Sequence, residues 1–64
     1  MKIILPDSAI QQMPGDPVSI SQILDQLGIN PSGVIVSRNG KLVPEDAVAT
    51  GEDEIRIIRI AHGG

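Results

Sequence analysis

The sequence predicts a small α+β domain in which one helix packs against a mixed β-sheet. Three observations support this: one segment with helical periodicity and capping signals at both ends, several short β-branched runs separated by turn residues, and isoleucine-rich runs near both chain ends. At 64 residues the chain is close to the lower size limit of an independently folding domain. We expect one domain over residues 1–60 and a flexible C-terminal tail over residues 61–64.

Composition narrows the class of protein. The sequence has no cysteine and no aromatic residue, which excludes disulfides and thiolate metal sites and leaves an aliphatic core. The net charge of −3 argues against nucleic acid as a partner. The first apolar run is too short for a signal peptide, and no run approaches membrane-spanning length. We therefore expect a cytoplasmic protein without a membrane partner.

The first third of the chain reads as a β-hairpin. Lys2–Leu5 is a short apolar run that ends at the turn residues Pro6–Asp7. Ala9–Met13 reads as a second, weaker strand, and Pro14–Pro17 closes the unit.

A helix is predicted over Ile20–Leu27. Ser19 is placed to be its N-cap, and Gln22, three residues later, completes a capping box. Gly28 stands where a left-handed residue ends a helix, and Asn30–Pro31 prevents continuation. The apolar stripe consists of Ile20, Ile23, Leu24 and Leu27.

The second half of the chain predicts three more strands. Asn39–Gly40 indicates a type I′ hairpin turn between the first two of them. Pro44–Thr50 reads as a connection with one helical turn, and Gly51–Glu54 as a polar turn. The strands are Val34–Arg38, Lys41–Val43 and Ile55–Ile60.

The order of these elements predicts their arrangement. The first and last strands are the richest in isoleucine, which favours central positions covered by the helix. If they are neighbours they run parallel, and the helix makes the long crossover that brings the chain back across the sheet. This is a β-grasp arrangement with a mixed sheet of four to five strands.

The last predicted strand carries isoleucine on both faces. Strict alternation places Ile55, Ile57 and Arg59 on one face and Arg56, Ile58 and Ile60 on the other. If the first set meets the helix, Ile58 and Ile60 form an exposed apolar patch suited to docking a partner. The alternatives are a bulge near Arg59 or ordinary scattered surface isoleucines.

The chain ends in Ala61-His62-Gly63-Gly64, which is a poor ending for a folded element. Glycine loses the most conformational entropy on ordering and buries no side chain. Four extended residues reach roughly 13–14 Å, enough to carry a terminal carboxylate into a partner's active site. A chance Gly-Gly ending is expected in about one chain in 200.

Together these segments resemble the small ubiquitin-like sulfur carriers of the ThiS/MoaD family. The resemblance covers essentially the whole chain, and the length is closer to the thiamine-type carriers. Two departures are Gly51–Glu54, in place of a tighter Gly-Asp turn, and His62 before the glycines. The matching segments are Met1–Leu5 with its turn at Pro6–Asp7, the helix Ile20–Leu27, Val34–Pro44 and Gly63–Gly64.

The resemblance implies a function. The carboxylate of Gly64 would be adenylated by a separate ATP-dependent enzyme of the ThiF/MoeB type, and a sulfurtransferase would supply sulfur to give a thiocarboxylate. A sulfur-accepting synthase, of the thiazole synthase type, would then consume it. Gly63 and His62 would pass through the partner's channel, and Arg56, Ile58, Arg59 and Ile60 are candidate docking residues. The carrier would be no enzyme and would bind no cofactor or metal, with ATP bound by the partner.

The residues themselves offer no catalytic set. His62 is the only histidine, and reads as a solvated spacer more readily than as a local base. Glu52–Glu54 is either a solvated turn or a contact for a basic surface, and Arg56 and Arg59 are either partner contacts or solubilising charges. Three alternative functions stay open: a molybdopterin-synthase-type sulfur donor, a modifier that forms isopeptides through Gly64, and a plain β-grasp interaction domain.

Overall fold

The structure is a computed structural model and describes residues 1–60. Within this range it contains one α-helix, α1 (Ile20–Leu27), and one short 3-10 helix (Pro31–Gly33). The strands are β1 (Lys2–Ile4), β2 (Ile10–Gln12), β3 (Val18–Ser19), β4 (Val34–Arg38), β5 (Lys41–Val43), β6 (Val48–Ala49) and β7 (Glu54–Arg59). The helix in this range is too short and too polar to cross a membrane.

Five strands form one mixed sheet in the order β2-β1-β7-β4-β5. The central pair, β1 and β7, runs parallel, and every other pair in this sheet is antiparallel. The parallel pair requires a long crossover, and α1 lies in it. The predicted β-grasp fold, with the first and last strands at the centre, is confirmed.

Helix α1 begins and ends where the sequence predicts. The N–H of Gln22 donates to Oγ of Ser19 at 3.1 Å, and the N–H of Ser19 donates to Oε1 of Gln22 at 3.0 Å, which is the predicted capping box. Gly28 is left-handed with φ +71°, and the N–H of Ile29 donates to the carbonyl of Leu24 at 2.9 Å. These local bonds satisfy backbone groups that the helix ends would otherwise leave unpaired.

The core lies between α1 and the inner face of the sheet. Its most deeply buried side chains are at most 2% exposed, and they come from the two central strands and the helix. They are Ile3, Ile20, Ile23, Leu24, Ile55 and Ile57, where Leu24 is at 2%. A methyl-rich core of this kind is stabilised by apolar burial alone, at roughly 25 cal/mol for each Å² removed from water.

The connection between β5 and β7 differs from its prediction. The single turn predicted within Pro44–Thr50 is present at Pro44–Ala47, where the N–H of Ala47 donates to the carbonyl of Pro44 at 3.1 Å, but it is an isolated turn and no helix, and a strand that was not predicted follows it. Val48–Ala49 then pairs with Val18–Ser19 in a two-stranded ribbon. The N–H of Ile20 donates to the carbonyl of Ala47 at 2.9 Å. This segment therefore pairs with a free N–H at the start of α1.

The last strand has an unbroken register. Its partners on β4 run without a gap from Arg38 opposite Ile55 to Val34 opposite Arg59, so the bulge considered near Arg59 is absent from this pair. The N–H of Ile60 donates to the carbonyl of Gly33 at 3.0 Å, which extends the ladder by one step. Strict alternation therefore holds along the whole strand.

The hairpin between β4 and β5 also follows its prediction. Asn39 and Gly40 both have positive φ, at +52° and +86°, as a type I′ turn requires. Three strands differ in their bounds from the prediction: β1 ends at Ile4, β2 covers only Ile10–Gln12, and β7 covers Glu54–Arg59, one position earlier than expected.

Candidate functional site

The chain leaves the described fold at the end of β7. Ile60 is the last described residue, and its hydrogen bond to Gly33 places the exit beside the start of β4. His62, Gly63 and Gly64 lie outside the described residues, so their predicted roles stay predictions. The surface around Ile60 is the part of the described fold that adjoins the tail.

The outer face of the sheet is apolar at this end. Arg56, Ile58 and Ile60 alternate with the buried Ile55 and Ile57 and so face away from α1. Ile58 and Ile60 are each 38% exposed. The structure therefore brings together three of the four predicted docking residues.

Two further side chains extend this surface. Ile35 lies directly opposite Ile58 on β4 and is 41% exposed, and Leu42 on β5 is 67% exposed. Neither residue was predicted as a docking residue, because the face that Ile35 presents follows from the burial of its neighbours Val34 and Val36, and that of Leu42 from its pairing with β4. We call Ile35, Leu42, Ile58 and Ile60 the outer patch.

Arg59, the fourth predicted docking residue, lies on the other face. The alternation of β7 places it on the helix side, where it lines a cleft of about 290 Å³ together with Leu27, Ile29 and Asp7. Arg56 and Arg59 therefore cannot act as one basic pair on one surface. Arg59 thus shares a cleft with Leu27 and Ile29, which lie at and just beyond the C-terminal end of α1.

Charge on the outer face is concentrated away from the tail. Among its paired strand residues, the charged ones are Lys2, Glu54 and Arg56, all toward the beginning of β7. Nζ of Lys2 lies 3.6 Å from Oε1 of Glu54. Such an exposed pair contributes at most about 1 kcal/mol. It makes the beginning of β7 polar, whereas Ile58 and Ile60 make the end of the strand apolar.

The acidic turn before β7 has a structural role. Oδ1 of Asp53 accepts a hydrogen bond from Nδ2 of Asn39 at 3.0 Å, and Oδ2 accepts one from the N–H of Thr50 at 3.0 Å. These two donors, the Thr50 N–H most of all, hold the pKa of Asp53 below its ordinary value, and the positive charge of Arg38 acts in the same direction. The turn is therefore more than a solvated run of acids.

The same turn is joined to the loop before β3. Oγ1 of Thr50 donates to the carbonyl of Gly15 at 2.9 Å, and the N–H of Gly51 donates to that carbonyl at 2.8 Å. A Cβ on Gly15 would lie 3.0 Å from the carbonyl oxygen of Gly51, so this close approach of two backbones favours glycine. We call Gly15, Asn39, Thr50 and Asp53 the polar clasp.

Residues 1–60 contain no group of three or more acidic or histidine side chains placed to hold a metal ion.

Comparison with known families assigns the chain. The model of the ThiS family matches residues 5–64, which is almost the whole chain and includes both terminal glycines. The chain belongs to the ThiS family. The predicted resemblance to the ubiquitin-like sulfur carriers is confirmed.

Two solved structures support the fold. The crystal structure of thiamine biosynthesis protein ThiS from Geobacter metallireducens matches with a TM-score of 0.71 and 18% identity, over the full length of both chains. The solution structure of a thiamine biosynthesis protein from the same organism matches with a TM-score of 0.63 and 16% identity, over this whole chain and 88% of that one. At these identities the likeness shows a shared β-grasp fold.

One relative matches more closely in sequence. An uncharacterised protein of Archaeoglobus fulgidus is 46% identical over 44 residues, or 69% of this chain. The match spans 64% of that relative, so this chain corresponds to somewhat less than two thirds of its length.

Proposed function

We propose that this protein is a sulfur carrier of thiamine biosynthesis that holds sulfur as a thiocarboxylate on Gly64. The observation that carries the proposal is the match of the ThiS family model through the last residue, so that the terminal glycines belong to the shared pattern. The names of the two Geobacter metallireducens structures favour thiamine as the pathway.

The proposed chemistry begins with activation of the tail. A carboxylate is a poor electrophile, so a separate adenylating enzyme joins the Gly64 carboxylate to the α-phosphate of ATP and releases pyrophosphate. Hydrosulfide, supplied by way of a sulfurtransferase, then attacks the acyl carbon and loses its proton, and AMP leaves with the electron pair of the C–O bond, so that a thiocarboxylate remains on Gly64. Gly63 and Gly64 present only hydrogen beside the reacting carbonyl, which leaves the approach open.

The outer patch is the proposed docking surface for the adenylating enzyme. Its four apolar side chains remain 38% to 67% exposed in the folded domain. Ile35, Ile58 and Ile60 lie toward the end of the sheet where the tail departs, and Leu42 lies across Ser37 from Arg56. Burying them against a partner supplies association energy that the isolated domain cannot gain. Arg56, at the border of the patch, is placed to pair with an acid of the partner.

In this proposal the protein is a carrier and co-substrate. The adenylating enzyme binds ATP, and the carrier itself holds no cofactor or metal. The final partner is a synthase of the thiazole type that takes sulfur from the thiocarboxylate. We place these steps in the cytoplasm, where ATP and the enzymes that use it are available.

A reconstitution experiment tests the pathway. The thiocarboxylate form of the protein is mixed separately with a thiazole synthase and its substrates, and with the large subunit of molybdopterin synthase and its precursor. We expect sulfur to appear in the thiazole product alone. Transfer to the molybdopterin precursor alone would replace the thiamine assignment, and lysine conjugates in cells producing the untagged protein would favour the modifier alternative.

A further inference from the structure

A cleft opens between β4 and the chain that follows β5. β4 begins at Val34, but its pairing with β5 covers only Val36–Arg38, so the first two residues of β4 have no partner on that side. Pro44 follows β5 directly, and it has no N–H with which to continue the ladder. The two chains diverge there, and the resulting β4–β5 cleft has a volume of about 380 Å³.

Hydrogen bonds hold the far wall of this cleft in place. The Pro44–Ala47 turn is closed by its own bond of 3.1 Å, and the carbonyl of Glu45 accepts the N–H of Ser21 at 2.8 Å. The wall is therefore tied to the first turn of α1. Because the cleft is formed before any partner arrives, filling it costs little ordering of this protein.

The lining of the cleft specifies what it can accept. Eight of its nine lining residues are apolar, including Leu24, Val34, Val36 and Val43, and the ninth is Glu45. Backbone carbonyls of successive strand residues point to opposite sides, and the carbonyl of Gly33 points toward β7. The carbonyl of Val34 therefore points away from β7, into the side of β4 that has no strand partner at this position. An apolar side chain fits the interior, and a positive charge fits the rim at Glu45.

The cleft lies close to the point where the tail leaves the domain. Gly33 binds Ile60 and adjoins Val34, so the exit of the tail and the cleft lie on either side of one strand. Two strand spacings amount to roughly 10 Å, whereas the four tail residues reach roughly 13–14 Å. An enzyme that holds Gly64 in its active site is therefore drawn against this end of the domain. Ile35 and Leu42 line the cleft and also belong to the outer patch, which makes the two surfaces continuous.

We propose that the β4–β5 cleft anchors the adenylating enzyme, receiving one of its apolar side chains while one of its basic side chains pairs with Glu45. The inference rests on the proposed function and adds a second, charge-selective anchor to the docking surface. Because docking here contributes equally to the ground state and the transition state, its loss raises KM for the carrier and leaves kcat unchanged.

The test is the steady-state rate of adenylation by the cognate adenylating enzyme, measured as pyrophosphate release at varied carrier concentration. Val43→Phe fills the cleft from a half-buried position, and we expect its KM to rise about tenfold. Glu45→Lys reverses the rim charge without removing the backbone bond of residue 45, and we expect a rise of about fivefold that diminishes with added salt.

Two matched controls separate docking from folding. Val48→Phe places the same ring at an exposed site on the ribbon, and Glu52→Lys makes the same charge change in the turn before β7. Both should keep the KM of the unsubstituted protein, and melting temperatures identify any variant that fails to fold. Should Val43→Phe fail in this way, Glu45→Lys decides the outcome.

The possible outcomes distinguish the two proposals. If the unsubstituted protein is not adenylated, the proposed function fails and the anchor fails with it. If it is adenylated and the folded cleft variants keep its KM, the anchor alone is wrong. A rise in KM for the cleft variants, without one for the controls, establishes the anchor.

Discussion

The two ends of the sheet differ in their surface groups: one end has hydrogen-bonded polar groups, and the other has exposed apolar side chains. At the beginning of β7 the polar clasp joins the hairpin tip, the acidic turn and the loop before β3 through hydrogen bonds of 2.8–3.0 Å. Toward the other end, the outer patch leaves Ile35, Ile58 and Ile60 exposed near the departing tail, with Leu42 beside them in the row of Arg56. The clasp end is complete within the fold, whereas the tail end gains stabilisation when a second molecule covers it.

This difference separates residues that stabilise the domain from residues that serve its partner. Changes in the clasp should lower the melting temperature and leave the kinetics of the folded protein intact. Changes at the tail end should leave the melting temperature intact and alter the kinetics of adenylation. A folded clasp variant with altered adenylation kinetics would contradict this separation of roles.

The largest expected effect follows from deleting Gly63 and Gly64. Formation of the thiocarboxylate should be abolished, because the acceptor carboxylate no longer reaches the partner's active site. The melting temperature should remain that of the full chain, since the core and every clasp bond lie within residues 1–60. Intact mass and thermal unfolding check the two halves of this prediction, and a large fall in melting temperature would show that the tail is structural.

Next in size is the effect of Ile58→Asp. A charge in the middle of the outer patch, opposite Ile35, should raise KM for adenylation by ten- to a hundredfold, because a desolvated carboxylate opposes burial of the patch. Val48→Asp is the control, since Val48 is 52% exposed but lies on the ribbon. Equal KM values for these two variants would remove the outer patch from the docking surface.

At the clasp, Asn39→Ala should destabilise the domain by about 2 kcal/mol. It removes two side-chain hydrogen bonds, to Asp53 and from the N–H of Glu54, and it places alanine in a left-handed conformation. For a domain of this size the melting temperature should fall by roughly 8–16 °C. Asn39→Gly relieves the conformational strain and should recover about half of the loss. KM for adenylation should stay constant in both variants, and a change would mean that the clasp end also contacts the enzyme.

The smallest effect concerns pH. The pKa of Asp53 is lowered in the folded protein, so its contribution to stability is present above its unfolded pKa of about 3.9 and is lost as the pH falls through the lower folded value. The difference in melting temperature between the unsubstituted protein and Asp53→Asn should therefore be constant near neutral pH and shrink below about pH 4. A difference that is independent of pH down to pH 2.5 would contradict this assignment.

Local signals made part of the fold predictable from the sequence. The capping box of Ser19 and Gln22, the left-handed Gly28 and the Asn39–Gly40 turn each involve residues within a few positions of one another, and each lies where it was predicted. The β3–β6 ribbon was missed because its strands have two residues each, too few to show a period, and their partners are some 30 positions apart in the chain.

The candidate site was predictable only in part, for the same reason. Alternation along β7 placed Ile58 and Ile60 on one face, but adding Ile35 and Leu42 required the register of three strands. The clasp depends on a bond between Asn39 and Asp53, fourteen residues apart, which no local pattern indicates. The predicted roles of Gly63 and Gly64 rest on the sequence and on the family match.

The proposed role of Gly64 as the sulfur carrier is tested by the intact mass of the untagged protein after incubation with ATP, a sulfur source and its adenylating enzyme. We expect a gain in mass equal to the replacement of one oxygen by one sulfur, absent from the variant that lacks Gly64 and retained in Asn39→Ala. An unchanged mass, with an adenylating enzyme shown to act on another carrier, would contradict it.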